Sequence, residues 1–503
     1  MVKDYMQNKG LQYIPRYIIV LAVFLTLPWI ITSCATSSKT SIAPAEKAPA
    51  VTGTTTAETS PAVKPPAEKP LSEQEKTEQI LSSIRTAMLR GDFTRALDLF
   101  SQINKDVAAS GDMQRMRATI LAASGNIPEA RSTLQNILTA NAEDQESLLL
   151  LANIEGLAGN TKEQKQLLEK LVSINPKNTQ ALTSLGDVAY AAKTYKLAEA
   201  YYKKALSIDP NNSEALLGKG KVDRYNRNPQ AAEEAFNRVI SMNPDWALPL
   251  QERARLYREN NFLREALADL DKAKELAPHD YWVAMDRGNV LLDLGRKEEA
   301  LKEYERAIGI NGDYFLAYVY SAGLKDELED YKGAVGDYKK LSELNPDYYF
   351  AFEALGVLYM RDKKWADAKN AFIEAYKRSP SHSTYALLAA INWYRSGKAQ
   401  DVKGFLEKVI PTVEQNSIDW YMFRLFYDFS GDTDIATRVG NEKKLDTKAR
   451  MLYYLAQYYD IKGNTNLANK YFMLVRDMNR KNMIEWRLNQ WEIEARGLQN
   501  QSS

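Results

Sequence analysis

The chain has 503 residues, with 66 basic and 65 acidic side chains giving a net charge of +1, and 45% hydrophobic and 26% charged residues. That composition is ordinary for a globular chain and supplies no basic domain of the kind nucleic acid requires. One cysteine and two histidines exclude an internal disulfide and leave no material for a Cys/His metal cluster.

The first element is an apolar run from Ile18 to Ile31, 14 residues long, preceded by Lys3, Lys9 and Arg16. A bilayer-spanning helix needs about 20 apolar residues; this run has the length of a signal-peptide core. It leads into Ile31-Thr32-Ser33-Cys34, an apolar residue, two small ones and the lone thiol. This resembles the lipobox of bacterial lipoproteins. The resemblance implies that residues 1–33 are a signal peptide cut before Cys34, that Cys34 takes a diacylglycerol on its sulfur, and that its new amine is acylated. Several acyl chains anchor stably where one does not. Ala35, in place of aspartate, leans toward the outer membrane, so the expected location is a lipid anchor on that membrane facing the periplasm. Residues 34–71 follow, rich in alanine, threonine, proline, lysine and glutamate and without an aromatic. Such a segment cannot bury enough apolar surface to offset its ordering entropy and is expected to be a disordered tether.

From residue 72 a period of 34 sets in. Stepping from Ala96 meets Ala130, Gln164, Ala198, Ala232, Ala266, Ala300, Ala334, Ala368, Val402 and Ala436. Four residues on runs a column of large apolar side chains, from Phe100 through Tyr202, Phe236, Tyr304 and Phe372 to Leu406. Twelve residues before each alanine a small residue recurs, among them Ala118, Ala152, Gly186, Gly220, Ala254, Gly288, Ala322, Gly356 and Ala390. Twelve residues after it stand Pro176, Pro210, Pro244, Pro278, Pro346 and Pro380. Small residues let helices approach, a large residue one turn on fills the same face, and proline stops the second helix. Each period therefore predicts two helices and a tight turn, and one such pair cannot bury its apolar face without neighbours.

The segment Ala351 to Pro380 carries Phe352, Leu355, Gly356, Tyr359, Ala368, Phe372, Ala375 and Pro380. At this spacing it resembles a tetratricopeptide repeat. The resemblance extends over residues 72–482 and implies an all-α superhelical solenoid of about twelve helix pairs, whose first helices line a concave groove that takes a peptide or protein. Residues 381–448 are expected to be degenerate repeats, because Val402, Pro411, Arg424, Gly440 and Lys443 break the columns. Residues 483–503 should form a capping helix and tail. In that helix Ile484, Leu488 and Trp491 recur at helical spacing, and its other face is expected to be polar.

No constellation for catalysis emerges. His279 and His382 each follow a helix-ending proline with no second ligand nearby, there is no phosphate-binding glycine loop, and the carboxylates are scattered. The chain reads as a non-enzyme without cofactor or metal. Helical spacing puts Lys221, Arg224, Tyr225, Arg255 and Arg258 on the first-helix face, with Trp282 and Met285 beyond. The four cations would suit an acidic peptide or a terminal carboxylate; alternatively they pair with Glu214, Asp223 and Glu259, and the apolar residues are stacking core. A chaperone-tail clamp, which needs lysine one turn before asparagine, is not matched: Leu149 precedes Asn153 and Met285 precedes Asn289. Two partner classes follow, other envelope proteins or peptides, and alternatively peptidoglycan or an exported polysaccharide, suggested by 29 tyrosines.

Overall fold

The computed structural model describes residues 72–397 and 399–500. Cys34, the signal peptide and the tether lie outside the described residues. Within them all regular structure is helical, 26 α-helices and one 3₁₀ turn. They fall into two compact units that divide after Met242.

The first unit comprises α1 (Glu73–Leu89), α2 (Phe93–Phe100), α3 (Lys105–Ala108), α4 (Gly111–Ala123), α5 (Ile127–Ala140), α6 (Gln145–Leu157), α7 (Thr161–Ile174), α8 (Thr179–Ala191), α9 (Tyr195–Ile208), α10 (Ser213–Tyr225) and α11 (Pro229–Met242). The second begins with the pairs α12 (Ala247–Glu259) and α13 (Leu263–Leu276), α14 (Tyr281–Asp293) and α15 (Lys297–Ile310), α16 (Phe315–Glu327) and α17 (Tyr331–Leu344), and α18 (Tyr349–Arg361) and α19 (Trp365–Arg378). It continues through α20 (Ser383–Arg395), α21 (Ala399–Val409), α22 (Ile418–Asp428), α23 (Asp432–Asn441), α24 (Leu445–Ile461), α25 (Thr465–Met478) and α26 (Ile484–Ala495). In both units sequential helices pack as hairpins and each hairpin stacks on the next. This is the all-α solenoid architecture that the period predicts.

The columns explain the packing. Ala96, Ala130, Ala198, Ala232, Ala266, Ala300, Ala334 and Ala368 are all fully buried. The small residue of the first helix and the large residue of the second form a matched pair, 16 positions apart. A Cβ on Gly186, Gly220, Gly288 or Gly356 would lie 2.5–2.7 Å from the ring of Tyr202, Phe236, Tyr304 or Phe372. Where the small residue is alanine (Ala118, Ala152, Ala254, Ala390), the partner is leucine: Leu134, Leu168, Leu270, Leu406, all fully buried. Total volume in the slot is thus held nearly constant, as close packing demands. Ala322 faces the aromatic Tyr338, and that ring is only partly buried. At the N-terminal end the pairing is Ile84 with Phe100, on a second helix cut to 8 residues.

The hairpin turns repeat too. Gly91, Gly125, Gly159, Lys193, Arg227, Asn261, Gly295, Glu329, Lys363 and Gly397 all take positive φ. At Gly295 the amide donates to Leu292 O and that of Arg296 to Leu291 O, both 2.9 Å. These are the paired bonds that close a helix through a left-handed residue.

Residues 381–448, expected to be degenerate, form four helices with a shifted pattern. In α22 the small-residue position is Arg424, which turns outward to Asp428 (2.7 Å), while Met422, Phe423, Leu425 and Phe426 are fully buried. The pair α22–α23 is 11 and 10 residues long instead of 13 and 14.

Candidate partner-binding faces

In the first unit, Lys221 on α10 places its Nζ 4.6 Å from the centre of the Tyr190 ring on α8. Tyr225 at the end of α10 is 57% exposed and stacks on Tyr195 at 3.6 Å. Arg224 lies half-buried beside it. Beneath them Tyr202 donates its hydroxyl to Asp187 (2.7 Å). Asp187 is solvent-exposed, but the protein atoms crowded around it desolvate its carboxyl and push it up, against the pull of the Tyr202 hydroxyl and the Lys221 charge. Burial also raises Glu214, with the Asp187 charge adding to it. Lys219, rather than Lys221, pairs with Asp223 (2.6 Å).

In the second unit Arg255 is held by Asp286 (2.8 Å) and Glu252 (2.6 Å), and Gln251 donates to the same Asp286 (2.6 Å). Burial works against the guanidinium charge, but Asp286 and Glu252 outweigh it and hold its pKa up. Arg258 pairs with Asp293 (2.5 Å). The two arginines expected to offer charge to a ligand are therefore neutralised by the next first helix, α14. Their partners are Asp286 and Asp293, one repeat on, with Glu252 from their own helix. Met285 is core. Trp282 packs its indole against Tyr281 and Tyr314 at 5.0 and 5.3 Å. Lys221, Arg224 and Tyr225 lie in one unit and Arg255, Arg258, Trp282 and Met285 in the other.

A further contact lies inside the second unit. The terminal helix α26 buries Glu485, Leu488, Asn489 and Ile493 on one face. Glu485 accepts from Tyr454 (2.6 Å) and Thr384 (3.2 Å), and Asn489 donates to Phe472 O (3.1 Å). This face closes the array as a capping helix should. The opposite face is not left polar and solvated as expected. Arg487 reaches Asp326 on α16 through two bonds of 2.8 and 2.5 Å. Trp491 meets the edge of Tyr331 at 6.0 Å, and the Arg361 guanidinium lies 3.7 Å over the same tyrosine ring. A cleft of about 390 Å³ remains beside these groups, lined also by Gly323, Glu327, Trp486 and Gln490. Arg487 and Trp491 stand one turn apart in the sequence, the only signal that could have pointed here; their targets lie some 160 positions away.

Several of the tyrosines that suggested sugar binding are core instead. Tyr202, Tyr304, Tyr453, Tyr454 and Tyr458 are fully buried. Among the described residues no group of His, Cys, Asp and Glu is arranged to hold a metal, and no helix is long and apolar enough to cross a membrane.

Family models of the tetratricopeptide repeat match residues 189–256, and 158–213 with 252–314. Residues 158–314 are tetratricopeptide repeats. Solved structures with similarity include a tetratricopeptide repeat protein from Parabacteroides merdae, 20% identical over 49% of this chain and 97% of its own, with a TM-score of 0.40. PilF of Pseudomonas aeruginosa is 20% identical over 41% of this chain and 95% of its own, TM-score 0.37. The tetratricopeptide protein YrrB, described as having an unusual peptide-binding site, is 21% identical over 37% of this chain and 95% of its own, TM-score 0.29. No curated protein matches significantly.

Proposed function

We propose that this protein is a lipid-anchored, non-enzymatic scaffold of the bacterial cell envelope, held by Cys34 on the outer membrane and recruiting other envelope proteins through the first-helix faces of its tetratricopeptide repeats. The observation that carries the scaffold reading is the run of stacked helix pairs itself. Such repeats serve as protein–protein interaction modules, and a quasi-one-dimensional stack offers extended surface for that purpose. The anchor rests on the residues before and around Cys34, and recruitment of envelope proteins on the anchor.

In the first unit the face offers Lys221, half-buried Arg224 and exposed Tyr225, a cation–aromatic surface that suits an acidic peptide segment. In the second unit the arginines are internally paired, so a partner there meets a neutral network and the Trp282 edge. Direct binding of peptidoglycan or polysaccharide has less support, because several of the tyrosines that favoured it, among them Tyr202, Tyr304 and Tyr454, form core.

The anchor is tested by labelling cells with a palmitate analogue: Cys34→Ser should abolish incorporation and release the protein from the membrane fraction. Recruitment is tested by crosslinking in whole cells followed by capture. Lys221→Glu with Tyr225→Ala should lose a discrete set of envelope proteins that the parent chain retains. Identical capture by both would refute the assignment of that face, and co-sedimentation with purified sacculi would favour the glycan reading.

A further inference from the structure

The outer face of α26 is not required for capping. Leu488, Asn489 and Ile493 seal the α24–α25 hairpin, and a solenoid end needs only a polar surface outside that seal. Instead, Arg487 and Trp491, four residues apart and so on one helix face, engage a seat of the same unit made by the C-terminal end of α16 (Asp326), the start of the second helix α17 (Tyr331) and the end of α18 (Arg361). Asp326 there receives both guanidinium donors, the bidentate, charge-assisted geometry by which arginine recognises a carboxylate. Tyr331 is held between Trp491 at its edge and Arg361 over its ring, and Arg487 also lies 4.9 Å from the Trp491 ring.

The neighbouring repeats show the contrast. Arg255 and Arg258 find their carboxylates on the next first helix, inside the stack. Asp326 finds its cation on a helix 161 residues away. The seat is also looser than core. The cleft beside it stays open, and Trp486 Nε1 and Gln490 Nε2 are buried without a hydrogen-bond partner among the described residues. Arg487 keeps 37% of its side chain exposed while Asp326 keeps 12%, so solvent reaches the cation of the pair and screens it. The contact is therefore specific in geometry and modest in strength, the combination that lets a competitor in.

We propose that α26 is an intramolecular ligand of the second unit, and that a partner segment reaches Asp326, Tyr331 and Arg361 only when Arg487 and Trp491 leave them. The fitting partner is an amphipathic helix presenting an arginine and an aromatic residue one turn apart. This rests on the scaffold reading, since it names what that seat selects and how access is gated.

The test uses the full chain with Cys34→Ser and two new cysteines, Glu329→Cys and Glu494→Cys, carrying spin labels for electron–electron distance measurement. The parent should give one narrow distance. Arg487→Glu should add a longer, broader population, and the reversed pair Asp326→Arg with Arg487→Glu should restore the narrow one. Arg487→Met, which keeps the apolar stem, should open the contact partly and guards against loss of fold. In a second arm a fluorescent peptide of residues 483–498 is titrated. It should bind the Arg487→Glu chain at least tenfold more tightly than the parent, because the resident arginine no longer competes. An unchanged distance distribution in Arg487→Glu, or equal affinity of the peptide for the two chains, overturns the proposal. Failure to capture envelope partners would leave both readouts untouched and would count against the scaffold reading alone.

Discussion

The regular repeats of the second unit from α12 to α17, and the region from α18 to α26, use the same hairpin in two ways. In the regular repeats the core is divided. Tyr304, Ala300, Ala307 and their neighbours form one small cluster, and Ala322, Leu341 and Ala351 another. In the C-terminal region a single cluster runs without a break from Val357 to Leu498 and includes Phe423, Phe426, Tyr453, Tyr454, Tyr458 and Phe472. Arg395 on α20 crosses to Gln457 (2.5 Å) and Asp460 (2.7 Å) on α24, so helices beyond nearest neighbours are tied together. A stack held by nearest neighbours frays one repeat at a time; a shared core unfolds together. The shared core thus begins in the last regular repeat, at Val357 on α18, and takes in the whole region after Pro380 where the repeat markers are lost.

The strongest way to break this comparison is to empty one site in each region. Phe426→Ala removes a fully buried ring from the shared cluster and should cost about 3–5 kcal/mol. Hydrogen exchange should quicken across residues 383–495 together. Leu270→Ala should cost about 2–5 kcal/mol, with faster exchange confined to α12–α15. If both spread equally far, the distinction between divided and shared core is wrong.

A sharper probe exploits the matched slot. Gly288→Ala puts a methyl where 2.7 Å separates it from the Tyr304 ring and should cost about 1–3 kcal/mol. Tyr304→Leu alone leaves a gap and forfeits the bond from the Tyr304 hydroxyl to Asn289 (2.9 Å). The double variant reproduces the Ala254–Leu270 slot, so its loss should fall below the sum of the singles in urea unfolding. Additive losses would show that the two positions do not share one volume.

Tyr202→Phe should cost about 1–3 kcal/mol, because it removes the hydrogen bond that a fully buried hydroxyl donates to the Asp187 carboxylate. The effect should depend on pH. The surrounding protein raises the Asp187 pKa in the folded state, so the ionised carboxylate, screened in part by the solvent it faces, weakens the fold as pH rises above the ordinary aspartate value of 3.8. The Tyr202 hydroxyl stabilises chiefly that ionised form. The difference between parent and variant should therefore be largest at neutral pH and shrink as pH falls through the folded pKa. A pH-independent difference in melting would place the hydroxyl's role in packing alone.

Much of the fold was legible because four columns constrain volume, and volume leaves residue types behind: alanine at 300, glycine at 288, an aromatic at 304. The faces were less legible because charge pairing leaves no such trace. Arg255 and Arg258 read as a basic patch from their own helix, and only the stacking of α14 beside α12 reveals Asp286 and Asp293 as their partners. The double-sided use of α26 was hidden for a related reason. Leu488 and Trp491 both sit at helical spacing, and spacing alone assigns both to the cap, whereas Trp491 faces Tyr331.

The smallest effect concerns a column that sequence reading missed, the left-handed residue of each turn. Gly295 shows it plainly, but Lys193, Arg227, Glu329 and Lys363 occupy the same place with φ of 57–65°, and mixed chemistry hides the period. A side chain in that conformation costs about 1–2 kcal/mol, partly offset because glycine loses more entropy on folding. Lys363→Gly or Arg227→Gly should therefore stabilise by roughly 0.5–1 kcal/mol, and Gly295→Ala should destabilise by a similar amount. Lys193→Gly and Lys363→Gly fall in different units, each with its own core, so their effects should add and shift the urea midpoint upward. Arg227 and Glu329 provide the control for side-chain roles. If Arg227→Gly destabilises while Lys363→Gly stabilises, the arginine contributes contacts that outweigh its backbone strain, and the turn column would then be selected by side chain at some repeats and by backbone at others.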